Sequence, residues 1–144
     1  MTMKKIVLTI CFSLLFSGSL YAREPLAVKV DVLAKTGVSW NDTALPDYAK
    51  GSPEVTILRI SIPPGVRLPL HTHPFINAGV LLHGKLSVVT QKGAVLHMEA
   101  GDPIVEVVNQ WHYGQNEGSE PAELIMFYAG IKGEPITVKA EGAE

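Results

Sequence analysis

Apolar and polar residues alternate in short runs along most of the chain, and each run ends in glycine, proline or a small polar cluster. The clearest is Glu54-Val-Thr-Ile-Leu-Arg-Ile-Ser-Ile, which alternates for much of its length as a half-buried antiparallel strand does. Further runs at Ala27–Leu33, Arg67–Leu70, Ile76–His83, Lys85–Gln91, Ala94–Glu99, Pro103–Val108, Trp111–Gln115, Glu123–Ala129 and Ile136–Lys139 are expected to be strands as well. Gln91-Lys92-Gly93 reads as a tight hairpin turn, and His83-Gly84-Lys85 and Ala100-Gly101-Asp102 as further turns. No stretch longer than about ten residues carries helical periodicity. Many short strands separated by frequent turns predict an all-β sandwich or barrel. The longest candidate loop, residues 41–53, is either a lid or a plain surface connection.

The alternation begins only after the first twenty-two residues. Lys4 and Lys5 precede an uncharged run from Ile6 to Ala22, whose first eleven residues are almost all apolar. Ser17-Gly18-Ser19 and the small residue Ala22 follow. A basic start, a short apolar run and a small residue at the cut describe a secretory signal peptide at residues 1–22. As a membrane span the run falls short of the ~20 apolar residues required. The expected products are a cleaved leader and a single domain at residues 23–144, periplasmic or secreted and no longer membrane-bound.

Cleavage changes the composition. The whole chain has 144 residues, 47% apolar, with a net charge of −2 and a mean hydropathy of +0.21. Cleavage leaves 122 residues and, through loss of Lys4 and Lys5, takes the net charge to −4. The single cysteine, Cys11, leaves too, so the exported domain rests on its core rather than on disulfides. No basic footprint suggests nucleic acid. There is no phosphate-binding glycine loop and no G-x-S-x-G elbow.

Histidine carries the candidate chemistry. His71 and His73, spaced i, i+2, project to one face if the segment is a strand, which lets one strand offer two imidazoles to one metal ion. Pro63-Pro64-Gly65 and Pro74 stiffen the flanks. Of the other three, His83 adjoins the turn glycine Gly84, and His97 sits between two core candidates, Leu96 and Met98; both are expected to face solvent. His112 lies between Trp111 and Tyr113 and opposes both on a strand.

With these residues in place, Gly65-x5-His71-x-His73-x3-Asn77-x6-Gly84 resembles the first motif of the cupin superfamily, G-x5-H-x-H-x3,4-E-x6-G. Gly101-x5-Val107-x-Asn109-x2-His112-x3-Asn116 resembles the second, G-x5-P-x-G-x2-H-x3-N. The resemblance spans Gly65 to Asn116 and implies an antiparallel double-stranded β-helix, the cupin jelly-roll barrel. His71, His73 and His112 would then be metal ligands, and Gly65, Gly84 and Gly101 turn glycines. The implied cofactor is a divalent transition metal, Fe(II) first, with Mn, Ni, Zn or Cu as alternatives. The implied partners are a small-molecule substrate and a second copy of the chain.

Three departures bear on function. Asn77 stands where the family has glutamate, and an amide oxygen is a neutral and poorer ligand. The site is then a three-histidine centre with open positions, or one in which Asn77 ligates weakly or bonds a bound water, or a pocket that has lost its metal. Val107 and Asn109 replace the motif's proline and glycine, and asparagine tolerates the left-handed backbone region. Glu106 stands in a valine-rich run where an apolar residue is usual. Alternation with Ile104 makes it either exposed or a buried acid with a raised pKa, acting as ligand or catalytic base.

Trp111, Tyr113, Phe75, Phe127 and Tyr128 line a pocket for a planar ligand or else pack the core. Arg59 and Arg67 meet an acidic substrate or else solvent, and Asn116 ties down the turn after His112. Two functions compete: a mononuclear metal-dependent dioxygenase, and a non-enzymatic module that holds a ligand or metal. The leader has its own test. Expression in a bacterium with a periplasm is expected to yield protein whose N-terminus is Arg23, read by terminal sequencing; a chain retaining residues 1–22 in the membrane would favour the anchor.

Overall fold

The computed structural model describes residues 27–142, so the predicted leader lies outside the described residues. The chain divides into two units, Met1–Val30 and Asp31–Glu144. Nine strands, and no helix among the described residues, make up the second unit: β1 (Pro53–Ile62), β2 (His71–Thr72), β3 (Asn77–His83), β4 (Lys85–Thr90), β5 (Val95–Glu99), β6 (Pro103–Val105), β7 (His112–Gln115), β8 (Ala122–Ile131) and β9 (Val138–Lys139). They form two antiparallel sheets, ordered β1-β8-β3-β6 and β5-β4-β7-β2-β9.

Alternation decides what each strand contributes. On β1, Leu58, Ile60 and Ile62 point inward opposite Met126, Leu124 and Ala122 of β8. Val55, Ile57 and Arg59 point outward, where Arg59 pairs with Glu123. On the second sheet Leu86 and Val88 face inward opposite Met98 and Leu96 of β5. The two inner faces meet in one apolar core built around Ile62, Leu81, Leu86, Val88, Met98, Ile104, Leu124 and Met126. Burial at about 25 cal/mol per Å² of apolar surface is the main favourable term for such a domain.

The turns use the expected backbone. Gly65, Gly84 and Gly101 have φ of 74°, 76° and 99°. Asn109, in place of the motif glycine, keeps the left-handed conformation at φ 54°, and its N–H donates to the His73 carbonyl at 2.8 Å. Asn116 closes the loop after β7. Its Nδ2 donates to the carbonyls of Ile62 and Glu120, and its Oδ1 accepts from the Gly118 N–H.

Several expected strands are shorter or missing. Ala27–Leu33 is in no strand and exposes Val28, Val30 and Val32 at 92%, 79% and 74%. Alternation alone does not make a strand; a ladder partner must complete it. Arg67–Leu70 runs beside β7 through the Leu68 N–H bond to the Gly114 carbonyl, but only Arg67 makes a bridge. Pro69 has no N–H to continue the ladder. Pro103–Val108 stops at Val105, Trp111–Gln115 starts at His112, and Ile136–Lys139 shrinks to Val138–Lys139. The candidate loop at 41–53 follows a small turn in which the Ser39 N–H donates to the Thr43 carbonyl. No residue of that loop lines the central cavity, which fits a surface connection.

Gly79 of β3 crosses β8 so closely that a Cβ there would lie 2.2 Å from Met126 Sδ and 2.4 Å from the Ile125 carbonyl oxygen. The backbone oxygen cannot step aside. Gly79→Ala is expected to lower stability by about 2–3 kcal/mol in urea unfolding, the overpacking cost of a tight core.

Candidate metal centre

β2 and β7 lie side by side, with His71 directly opposite His112. His73 follows β2 by one residue and is buried. Their ring centroids form a triangle with sides of 4.5, 5.0 and 5.1 Å. One nitrogen from each ring lies within 4.8 Å of the others, so the three residues could hold a metal ion. The two-residue spacing does what it predicts, placing His71 and His73 on one side of the chain. His83 and His97 are exposed, away from the cluster.

Each imidazole is oriented through its other nitrogen. His71 Nδ1 lies 2.7 Å from the Pro69 carbonyl oxygen, His73 Nδ1 lies 2.8 Å from that of Ile136, and His112 Nδ1 lies 2.8 Å from that of Gln110. Thr137 Oγ1 adds a contact of 3.2 Å to His73 Nδ1. A carbonyl oxygen only accepts, so each Nδ1 carries the proton and each Nε2 presents a lone pair. This is the orientation in which backbone carbonyls position ligating histidines. His112 Nε2 is buried without a hydrogen-bond partner. A bare buried nitrogen costs free energy that a metal bond would recover. On that count the donor set fits a metal ion.

Burial also sets the protonation states. It draws His73 down to about 4 and lowers His71 and His112, against the raising effect of their carbonyl bonds. The rings are therefore neutral at pH 7 and ready to ligate.

Glu106 follows β6 and continues the inward alternation of Ile104, so it is the buried acid rather than the exposed one. Its Oε2 is 3.5 Å from His112 Nε2. Desolvation pushes its carboxyl up to about 7, opposed by the Val107 N–H and the nearby His71. A neutral imidazole beside an acid titrating near 7 is not a salt bridge. The Trp40 indole N–H lies near this carboxyl and helps to hold its pKa down, without reaching good hydrogen-bond geometry. Asn77 is fully buried and stands cross-strand from Tyr128, yet it does not line the cavity. Its Nδ2 donates to the Phe75 carbonyl at 3.1 Å, and its Oδ1 has no partner.

The imidazoles and Glu106 open into a cavity of about 330 Å³ inside the barrel. Of the aromatics singled out in the sequence only Tyr128 lines it. Tyr113 lies on the opposite side of its strand, under the Arg67 guanidinium at 3.5 Å, and Phe127 is half exposed. Neither Arg59 nor Arg67 reaches the cavity. Sequence reasoning missed Lys139 and Thr137, which line it from β9 and its approach. Their two-residue spacing was a readable signal, but the pairing of Lys139 with His71 spans the sequence and was not.

The ionisation of Glu106 gives a prediction with a definite sign. Its folded pKa lies above the ordinary value of 4.5, so its stabilising contribution is complete below that value and is lost as pH rises through about 7. Metal-free Glu106→Gln is expected to match the wild type at pH 5 and to exceed it in melting temperature at pH 8, measured in chelator. Equal melting temperatures at both pH values would show the carboxyl to be solvated.

Residues 58–128 match the Cupin domain family. No curated protein matches the sequence. Among solved structures, an uncharacterised conserved protein with a double-stranded β-helix domain from Klebsiella pneumoniae has a TM-score of 0.53 at 22% identity, covering 65% of this chain and 88% of its own. A DMSP lyase from Ruegeria pomeroyi has a TM-score of 0.53 at 19% identity, covering 61% of this chain and 45% of its own. Oxalate decarboxylase from Lactobacillus farciminis, in a formate complex, gives 0.51 at 23%, covering 59% and 26%. The chain thus spans less than half the length of these two enzymes, and at such identity the likeness is one of fold. Strand order, both histidine motifs and the matched span agree that this chain carries a cupin domain, folded as an all-β double-stranded β-helix.

Proposed function

We propose that the chain is an exported, mononuclear metal-binding cupin that acts as an oxidoreductase of the dioxygenase type on a small molecule. The observation that carries this is the convergence of three neutral imidazoles whose Nδ1 atoms are tied to backbone carbonyls. In this reading His71, His73 and His112 hold the ion through Nε2, and Asn77, buried on β3 with its Nδ2 held by the Phe75 carbonyl, is not needed as a ligand. Nitrogen donors with open positions suit Fe(II) first, while Mn, Ni, Zn and Cu remain compatible. A redox-capable ion held there supplies Lewis acidity and electron transfer.

The protein's own residues do the rest. The aliphatic lining lowers the polarity around the reacting group, which strengthens the charge interactions there. Glu106 carries or accepts a proton at Oε2, 3.5 Å from His112 Nε2. Its carboxyl titrates near 7, where a group exchanges protons in either direction. Tyr128, pushed up to about 12 chiefly by burial, stays protonated and offers a hydrogen-bond donor.

Anaerobic purification, Fe(II) loading and metal analysis are expected to give about one ion per chain. His112→Ala is expected to weaken binding by more than the about 10–100-fold typical of losing an orienting partner. Oxygen uptake with a substrate library then separates enzyme from binder: turnover that disappears in Glu106→Gln supports the oxidoreductase. Full metal loading without turnover would favour a ligand-holding module, and a protein that takes up no metal would overturn the proposal.

A further inference from the structure

The cavity is divided by chemistry. His71, His73, His112, Glu106 and Tyr128 line one end; along the same and paired strands, toward the other end, the lining becomes aliphatic, with Leu58, Ile60, Leu86, Val88, Leu124 and Met126. The wall comes from inward positions of β1, β4 and β8, three strands on two sheets, so it is the barrel's own inner surface and not a loop feature. Among the described residues that line the cavity, Lys139 is the one strong base and Glu106 the one acid. Lys139 is exposed at the rim and stands directly across the β2–β9 ladder from His71, next to the imidazole cluster.

From this division we infer that the cavity takes an aliphatic monocarboxylate. The carboxylate sits toward Lys139 and the imidazole cluster, and the hydrocarbon chain lies along the aliphatic wall. The position of the head group rests on the metal reading above; the apolar wall does not. A single rim cation matches one negative charge. A dicarboxylate of two carbons would leave the wall uncovered and place its second charge against leucine and valine, where nothing compensates its desolvation. A primary amine of the same length would put its ammonium beside Lys139. A volume of about 330 Å³ is at the small end of the about 300–1,000 Å³ typical of ligand pockets. That is room enough for a short or medium chain.

Isothermal titration tests this with acetate, butanoate, hexanoate, 1-hexanol, hexylamine and oxalate, on metal-loaded and chelator-treated protein. Affinity is expected to rise about fourfold per methylene from acetate to hexanoate, the ratio that corresponds to burying one CH₂. Hexanoate should bind better than hexylamine and, on the chelator-treated protein where oxalate has no metal to chelate, better than oxalate. Lys139→Gln should weaken hexanoate about tenfold and leave 1-hexanol unchanged; because Lys139 is an exposed side chain, that variant is expected to fold. The metal-free arm separates the two proposals. If the chain binds no metal, the dependence on chain length persists while the carboxylate preference shrinks to the part removed by Lys139→Gln. A flat chain-length series, tighter binding of oxalate than of hexanoate to the metal-free protein, or equal loss of hexanoate and 1-hexanol in Lys139→Gln would overturn the assignment.

Discussion

Three imidazoles face one another inside an apolar barrel, and the rest of the site follows from making that arrangement tolerable. Each ring has two polar nitrogens, and an unpaired buried nitrogen costs of order 1–3 kcal/mol. The fold satisfies one nitrogen on each ring with a carbonyl at 2.7–2.8 Å. These carbonyls come from Pro69, Ile136 and Gln110, in segments just outside the strands where backbone oxygens are not committed to a ladder. The loops beside β2, β7 and β9 are therefore part of the site's design, although they supply no ligand.

The same logic accounts for the strand lengths. β2 and β9 are two residues each, short enough that their flanking carbonyls stay available to the histidines. Long ladders would consume those acceptors. The long strands, β1 and β8, sit in the opposite sheet and provide most of the aliphatic wall. Structural stiffness and ligand orientation are thus allotted to different sheets, and the cavity lies where the two meet.

Much of this was legible in the sequence. The alternation of Glu54–Ile62 told which side chains point inward, and the His-x-His spacing with His112 located the cluster. Gly65, Gly84 and Gly101 marked turns that have the positive φ expected of them. Periodicity could not say whether Glu106 faces in, because it follows the last ladder residue of β6, where only the continuing course of the chain fixes its direction. It misread Ala27–Leu33, where alternation was present without a ladder to use it. Trp40, Thr137 and Lys139 could not be assigned to the site, because the groups they meet are distant in sequence: His71 and Lys139 are partners across a sheet, which no local pattern encodes. Asn77 shows a different limit. Its position in the motif suggested a ligand, but the motif does not report that its Nδ2 is held by the Phe75 carbonyl while its Oδ1 is left without a partner.

The tether on His73 has a consequence for how the protein is made. Its orienting acceptor, the Ile136 carbonyl, and the adjoining Thr137 hydroxyl lie 63 and 64 residues further along the chain. Synthesis delivers His71, His73 and His112 well before it delivers those groups. A growing chain that has reached His112 therefore carries all three donors before the acceptor that orients His73 exists. The orientation of His73 arrives only with the segment that leads into β9, so the arrangement that could hold an ion is timed to that segment rather than to the appearance of the three donors.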